Sequence, residues 1–177
     1  MLEQKLKSLV RDVPNFPQPG IVFKDITPIL QHADVCSEVV TEFANQLENI
    51  EFDVIAGIES RGFLFGLMLA NHLNKPFVPI RKQGKLPHKT VSESYKLEYG
   101  QATIEIHEDA IAPGTRVLIH DDLLATGGTV VAASKLVEKV GGQVTGFCFL
   151  INLAFLQASG RLDRFSKNVV SLLSYHS

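Results

Sequence analysis

The sequence predicts an α/β fold, a mostly parallel twisted sheet flanked by helices, and three observations predict it. Continuous apolar runs of strand length, Asp53 to Ile58 and Arg116 to His120 among them, alternate with segments whose apolar residues recur at helical spacing. A polar break, Glu59-Ser60-Arg61-Gly62, stands between one such run and the helical segment after it. The segment Val117 to Thr129, V-L-I-H-D-D-L-L-A-T-G-G-T, then reads as a strand, a short glycine turn and the start of a helix. Strands separated by helices pair in parallel, because each crossover must traverse one face of the sheet. Ligands of such sheets bind at the C-terminal ends of the strands.

Taken in order, Leu2, Leu6, Leu9 and Val10 mark a short N-terminal helix, and Val35, Val39, Val40, Phe43 and Leu47 form one face of a longer one. The Asp53 run is a strand, followed by a helix from about Gly62 to Leu73. Phe77 to Ile80 is the next strand. A loop rich in cations, Arg81, Lys82, Lys85 and Lys89, follows it, and Thr103 to His107 alternates as a partly exposed strand. Arg116 to His120 is the buried strand before the glycine turn, a helix carries Val130, Val131, Leu136 and Val137, and strands at Val144 to Asn152 and Val169 to Leu173 complete the sheet.

The chemistry concentrates after His120. Gly127 and Gly128 can take positive φ and bring bare backbone near a ligand, so successive N–H groups converge on an anion at a helix N-terminus. Ala125, Thr126, Gly127, Gly128 and Thr129 therefore suit a phosphate monoester, with the two threonines as added donors. Asp121 and Asp122 would repel that phosphate. They suit a ribose 2′,3′-diol, or a Mg²⁺ bound to it, since carboxylates accept from hydroxyls and ligate hard cations. Acid pair plus phosphate loop implies a sugar 5-phosphate. The absence of G-K-[ST] sets the segment apart from nucleoside-triphosphate P-loops.

Composition fits one domain over residues 1–177, with 45% apolar and 20% charged residues. A net charge of -2 argues against a nonspecific nucleic-acid surface, and no apolar stretch reaches membrane-span length. The mixed charges of Met1 to Lys7, without an apolar secretory core, give the expectation of a cytoplasmic protein. Cys36 and Cys148 have neither metal nor redox spacing, and the six histidines include no pair at helical metal spacing, so no protein-bound zinc site is expected.

The segment ending D-D-L-L-A-T-G-G-T resembles the phosphoribosyl-pyrophosphate (PRPP) binding motif of type I phosphoribosyltransferases, in the form found in the adenine-specific branch of that family. Three further segments fit the same family in the same order: F-P-Q-P-G-I-V-F-K-D-I-T-P-I-L from Phe16, A-G-I-E-S-R-G-F-L-F-G from Ala56, and R-K-Q-G-K-L-P followed by Y-K-L-E-Y-G between Arg81 and Gly100. The resemblance covers about Phe16 to Leu153. It implies the family fold, with an N-terminal base-recognition segment at 1–34 and a flexible catalytic hood at 81–100. It also implies purine salvage: transfer of 5-phosphoribosyl from PRPP to adenine, giving AMP and pyrophosphate, with Mg²⁺ and commonly in a homodimer.

The resemblance distributes roles over the residues. Asp121, Asp122 and Ala125 to Thr129 would bind PRPP or AMP; Glu59, Ser60, Arg61, Arg81, Lys82 and Lys85 would serve pyrophosphate. Arg61 and Glu98 would be catalytic, Glu98 and Tyr99 lying at the far end of the hood. Val22, Phe23 and Lys24 would recognise the base, Phe23 by stacking and Lys24 through its main chain. No direct metal ligand is implied beyond Asp121 and Asp122, which would reach the metal through ribose or water. His120 stands where the family more often has an aliphatic residue, and a satisfied buried histidine is expected there. Lys24 replaces the arginine of some members. Two rivals stay open: another purine base (hypoxanthine, guanine or xanthine), or a non-catalytic PRPP-sensing regulator.

Overall fold

A computed structural model describes residues 1–97 and 100–177. The N-terminus forms helix α1 (Leu2–Leu9) and a two-stranded antiparallel hairpin of β1 (Arg11–Pro14) and β2 (Val22–Asp25), followed by a 3-10 turn at Thr27–Gln31. Helix α2 (Ala33–Gln46) leads to β3 (Val54–Ile58), α3 (Gly62–His72) and β4 (Phe77–Lys82). Strands β5 (Thr90–Lys96) and β6 (Gln101–His107) precede β7 (Arg116–Leu124), α4 (Gly128–Lys139), β8 (Gln143–Leu153), the short helix α5 (Ser159–Leu162) and β9 (Val169–Tyr175).

The central sheet runs β5-β6-β4-β3-β7-β8-β9. From β4 to β9 the neighbours are parallel; β6 is antiparallel to β4, and β5 to β6. Both faces are buried, which is why these strands read as continuous apolar runs. Val54, Ala56, Ile58, Ile119, Phe147 and Phe149 pack with Val130, Ala133 and Leu136 of α4 on one side. Ile55, Leu118, Cys148 and Leu150 pack with Phe43 of α2 and with Phe65 and Leu69 of α3 on the other.

Two expectations are corrected. The segment 81–100, read as a flexible loop, contains β5, which pairs residue for residue with β6 from Thr90↔His107 to Lys96↔Gln101. Its alternation was hidden because Ser92, Glu93 and Ser94 are polar; only Val91 and Tyr95 of this strand pack against the core, and helix α4 adds polar contacts to it. Lys139 Nζ bonds the Ser92 carbonyl at 2.8 Å and Glu93 Oε2 at 2.5 Å. The strand expected to stop at His120 continues to Leu124, because β8 goes on pairing with it, Asp121↔Phe149 and Leu124↔Asn152 included. The acid pair thus sits within a ladder that satisfies its backbone, not in a loose turn.

At the switch from β3 to α3 the backbone packs without room for a side chain. A Cβ on Gly57 would meet the Phe77 ring and lie 3.0 Å from the Gly62 carbonyl. Gly57→Ala is therefore expected to destabilise the protein by about 1–3 kcal/mol through overpacking. Urea unfolding checks this, and an unchanged midpoint would show that Phe77 yields freely.

Candidate active site

The C-terminal ends of β3 and β7 and the start of α4 enclose a cleft of about 360 Å³. It is lined by Glu59, Ser60 and Arg61 from the β3–α3 turn, Lys82 from β4, Asp121 and Asp122 from β7, and Ala125 to Thr129 from the following turn. Eleven of the residues expected to bind PRPP or pyrophosphate therefore share one cavity. Arg81 and Lys85 are outside this lining. Glu98 and Tyr99 lie outside the described residues.

The turn expected to hold a phosphate owes its shape to Gly127, whose φ of 83° lies in the left-handed region and directs the chain into α4. No side chain caps α4, so its first N–H groups are open to an anion. Thr126 is exposed, whereas the Thr129 hydroxyl, expected as a phosphate donor, donates to the Tyr95 hydroxyl at 3.0 Å. That bond ties β5 to the start of α4. From the other side, Arg161 Nη1 donates to the Thr126 carbonyl at 2.7 Å.

Asp121 and Asp122 differ in their partners. Asp122 is buried and accepts from Arg61 Nε at 2.6 Å. Asp121 Oδ1 accepts the backbone N–H of Asp122 at 2.9 Å. Burial, reinforced by the neighbouring Asp122 charge, raises the Asp121 pKa well above the usual carboxylate range. A hydroxyl or cation brought to Asp121 would relieve that cost. Gly62 makes the arrangement possible, since a Cβ there would lie 3.0 Å from Asp121 Oδ1 and 3.0 Å from the His120 carbonyl.

The residues expected to serve pyrophosphate are organised by Glu59. Its carboxylate accepts from Arg81 Nε and Nη2, each at 3.2 Å, and from the Lys82 N–H at 2.8 Å. Burial works to raise its pKa, but the Lys82 N–H and the Arg81 guanidinium outweigh it and the net shift is downward. Glu59 thus neutralises Arg81 and aims the β4 end, leaving Lys82 as the β4 cation in the cleft. Arg61, expected to face pyrophosphate, is turned instead to Asp122, and its guanidinium lies 4.7 Å from the Phe23 ring centroid.

This stacking brings the N-terminal hairpin to the cleft. Phe23 also meets Phe16 edge-on at 5.2 Å, and Val22 is exposed beside it. The Lys24 ammonium is spent on Asp12 at 2.7 Å and lies 4.2 Å from the Tyr175 ring centroid, so only its main chain is left for a ligand. Sequence reading missed Tyr95, Arg161 and the Arg61–Asp122 pair; no local pattern marks contacts between residues 34 to 61 positions apart.

His120 departs from expectation. Its Nδ1 lies 3.2 Å from Cys148 Sγ, but its buried Nε2 has no partner among the described residues. Desolvation pushes its pKa down to about 4, so the ring is neutral. Among the described residues no three His, Cys, Asp or Glu side chains group as a metal cage. No helix there is long and apolar enough to cross a membrane.

Comparison with known proteins places this geometry. The phosphoribosyl transferase domain model matches residues 24–173. An adenine phosphoribosyltransferase of Cytophaga hutchinsonii is 50% identical over 99% of this chain and 97% of its own, and one of Thermosipho melanesiensis is 48% identical over 97% of each. The crystal structure of adenine phosphoribosyltransferase from Thermoanaerobacter pseudethanolicus superposes with a TM-score of 0.94 at 48% identity, covering 99% of this chain and 100% of that one. The enzyme of Giardia lamblia, solved with 9-deazaadenine, gives 0.93 at 32% identity, covering 100% and 99%. The chain belongs to the phosphoribosyltransferase family, in the adenine phosphoribosyltransferase branch that these relatives represent.

Proposed function

We propose that this enzyme acts in purine salvage, transferring 5-phosphoribosyl from PRPP to adenine to give AMP and pyrophosphate. The observation that carries the reading is one cleft holding a phosphate turn at a helix N-terminus, an acid pair and a cationic loop, with the Phe23 face beside it. In this reading the N–H groups at the start of α4, with Thr126, hold the 5′-phosphate. Asp121 and Asp122 accept from the ribose hydroxyls and fix the anomeric carbon. Arg61 and Lys82 counter the negative charge that builds on departing pyrophosphate, and Arg61 exchanges Asp122 for that charge. Phe23 and Val22 present an apolar slot to the purine, with Lys24 reading it through its main chain. Glu98 is the proposed carboxylate for the proton of the attacking nitrogen, with Tyr99 beside it in the hood.

The acid pair offers the one or two carboxylates with which Mg²⁺ is commonly held beside substrate phosphates, so the residues fit the metal. When bound, it would counter the negative charge of the pyrophosphate. The homodimer is supported by exposed Leu64 and Leu67 on α3. A cytoplasmic site of action is supported by two free, buried cysteines. The test is stoichiometry: AMP and pyrophosphate are expected to appear one to one from adenine and PRPP, with product lost on chelation of Mg²⁺ and restored on its return. PRPP binding without product would favour the sensor.

A further inference from the structure

The chain beyond β8 carries no recognisable motif, yet it meets the phosphate turn at two points. Arg161 of α5 donates through Nη1 to the Thr126 carbonyl at 2.7 Å. One turn earlier, Ala158 packs against Gly127, whose left-handed backbone leaves the position a Cβ would take only 3.3 Å from the Ala158 methyl. Ala158 is itself buried, and Leu162 on the same segment belongs to the core beneath α4. The segment is thus anchored at Ala158 and Leu162 and reaches the turn with Arg161 between them.

The geometry points to Arg161 as a positioning residue for the 5′-phosphate site, acting through the Thr126 carbonyl. A turn that presents N–H groups to an anion directs carbonyls outward, and such a carbonyl needs a donor if the peptide plane is to stay fixed. Arg161 supplies a charged one, which makes the bond stronger than a neutral pair. Fixing the Thr126 carbonyl fixes the Thr126–Gly127 peptide, and with it the direction in which the Gly127 N–H points. Ala158 restricts the same peptide sterically from behind. The Tyr95 hydroxyl restrains the turn at Thr129, so the segment around α5 and strand β5 grip the phosphate turn at its two ends.

The inference rests on the PRPP reading of the cleft, and its test is independent of turnover. Ribose 5-phosphate carries the 5′-phosphate but neither base nor pyrophosphate. Its affinity, measured by calorimetry, is expected to fall about tenfold in Arg161→Ala, the scale of one lost hydrogen bond to a charged group. Pyrophosphate affinity is expected to stay within about twofold, because a loss of long-range charge would weaken both ligands. Arg161→Lys keeps the charge and a donor and is expected to recover part of the loss. In turnover the KM for PRPP should rise while the KM for adenine holds. Arg161 is exposed, so the variant is expected to fold, and thermal unfolding checks it. Wild-type affinity for ribose 5-phosphate in Arg161→Ala, or an equal loss for pyrophosphate, would overturn the assignment. A wild-type protein that binds ribose 5-phosphate but forms no AMP would instead overturn the proposed reaction and leave this role standing.

Discussion

Asp122→Ala is expected to lower kcat/KM for PRPP by about a hundredfold, or ~2.7 kcal/mol. Two losses combine. The ribose hydroxyls lose a charged acceptor, which is worth about 1.5–3 kcal/mol for a hydrogen bond to a charged group. Arg61, held by Asp122 Oδ2 at 2.6 Å, loses the contact that keeps it in the cleft. The Arg61 side chain is 42% exposed and can turn to water, so the variant should keep most of its stability. Steady-state kinetics at varied PRPP checks this, and wild-type kcat/KM would remove Asp122 from the site.

Arg61→Ala should be more damaging to turnover, with kcat lowered by about 10²- to 10³-fold, the scale of removing one donor aimed at developing charge. The same change leaves the Asp122 side chain, only 4% exposed, without its ion-pair partner, and it uncovers the Phe23 ring. Adenine KM should therefore rise as well, though by less than kcat falls. A kcat left intact with only the KM for PRPP raised would recast Arg61 as a binding residue. Because the two side chains are partners, the double variant should fall short of the summed single effects by about 1 kcal/mol or more. Strict additivity would show that the Arg61–Asp122 contact plays no part in the reaction.

The contrast between these residues explains what the sequence made legible. Asp121 to Thr129 is a local device, with strand, acids, glycine and helix start consecutive, so its chemistry can be read from nine residues in a row. The parallel core was legible for a similar reason: strands buried on both faces are apolar at every position, and the β3 run from Val54 to Ile58 is buried throughout. Strand β5 was not, because its Glu93 faces cations of α4 and its sequence Thr90–Lys96 alternates too weakly to separate from a polar loop. The Arg161 bond to Thr126 spans 35 residues and depends on how β8 and α5 return the chain to the turn. The contact of Glu59 with Arg81 was hidden for the same reason. A carboxylate beside an anion site makes sense only once Arg81, 22 residues away, is seen in its grip.

In the proposed reading the β1–β2 hairpin couples base recognition to the ribose site. Antiparallel pairing of Val13 with Phe23 and of Asp12 with Lys24 holds the proposed base-binding residues on a short two-stranded platform. Arg61 spans from that hairpin to Asp122, so in the proposed reading adenine on Phe23 and ribose on Asp122 would share one guanidinium. On the proposed reading, backbone groups of the hairpin would decide which purine edge is accepted, since a site that hydrogen-bonds an exocyclic amino group rejects an oxo-purine whose binding leaves its polar groups unpaired.

The most direct test of the account is kcat/KM with PRPP for adenine, hypoxanthine, guanine and xanthine under one set of conditions. Adenine is expected to exceed each oxo-purine by about a hundredfold or more. An oxo-purine turned over as fast as adenine, or faster, would contradict the reading of Val22, Phe23 and Lys24 while leaving the phosphate turn and acid pair in place.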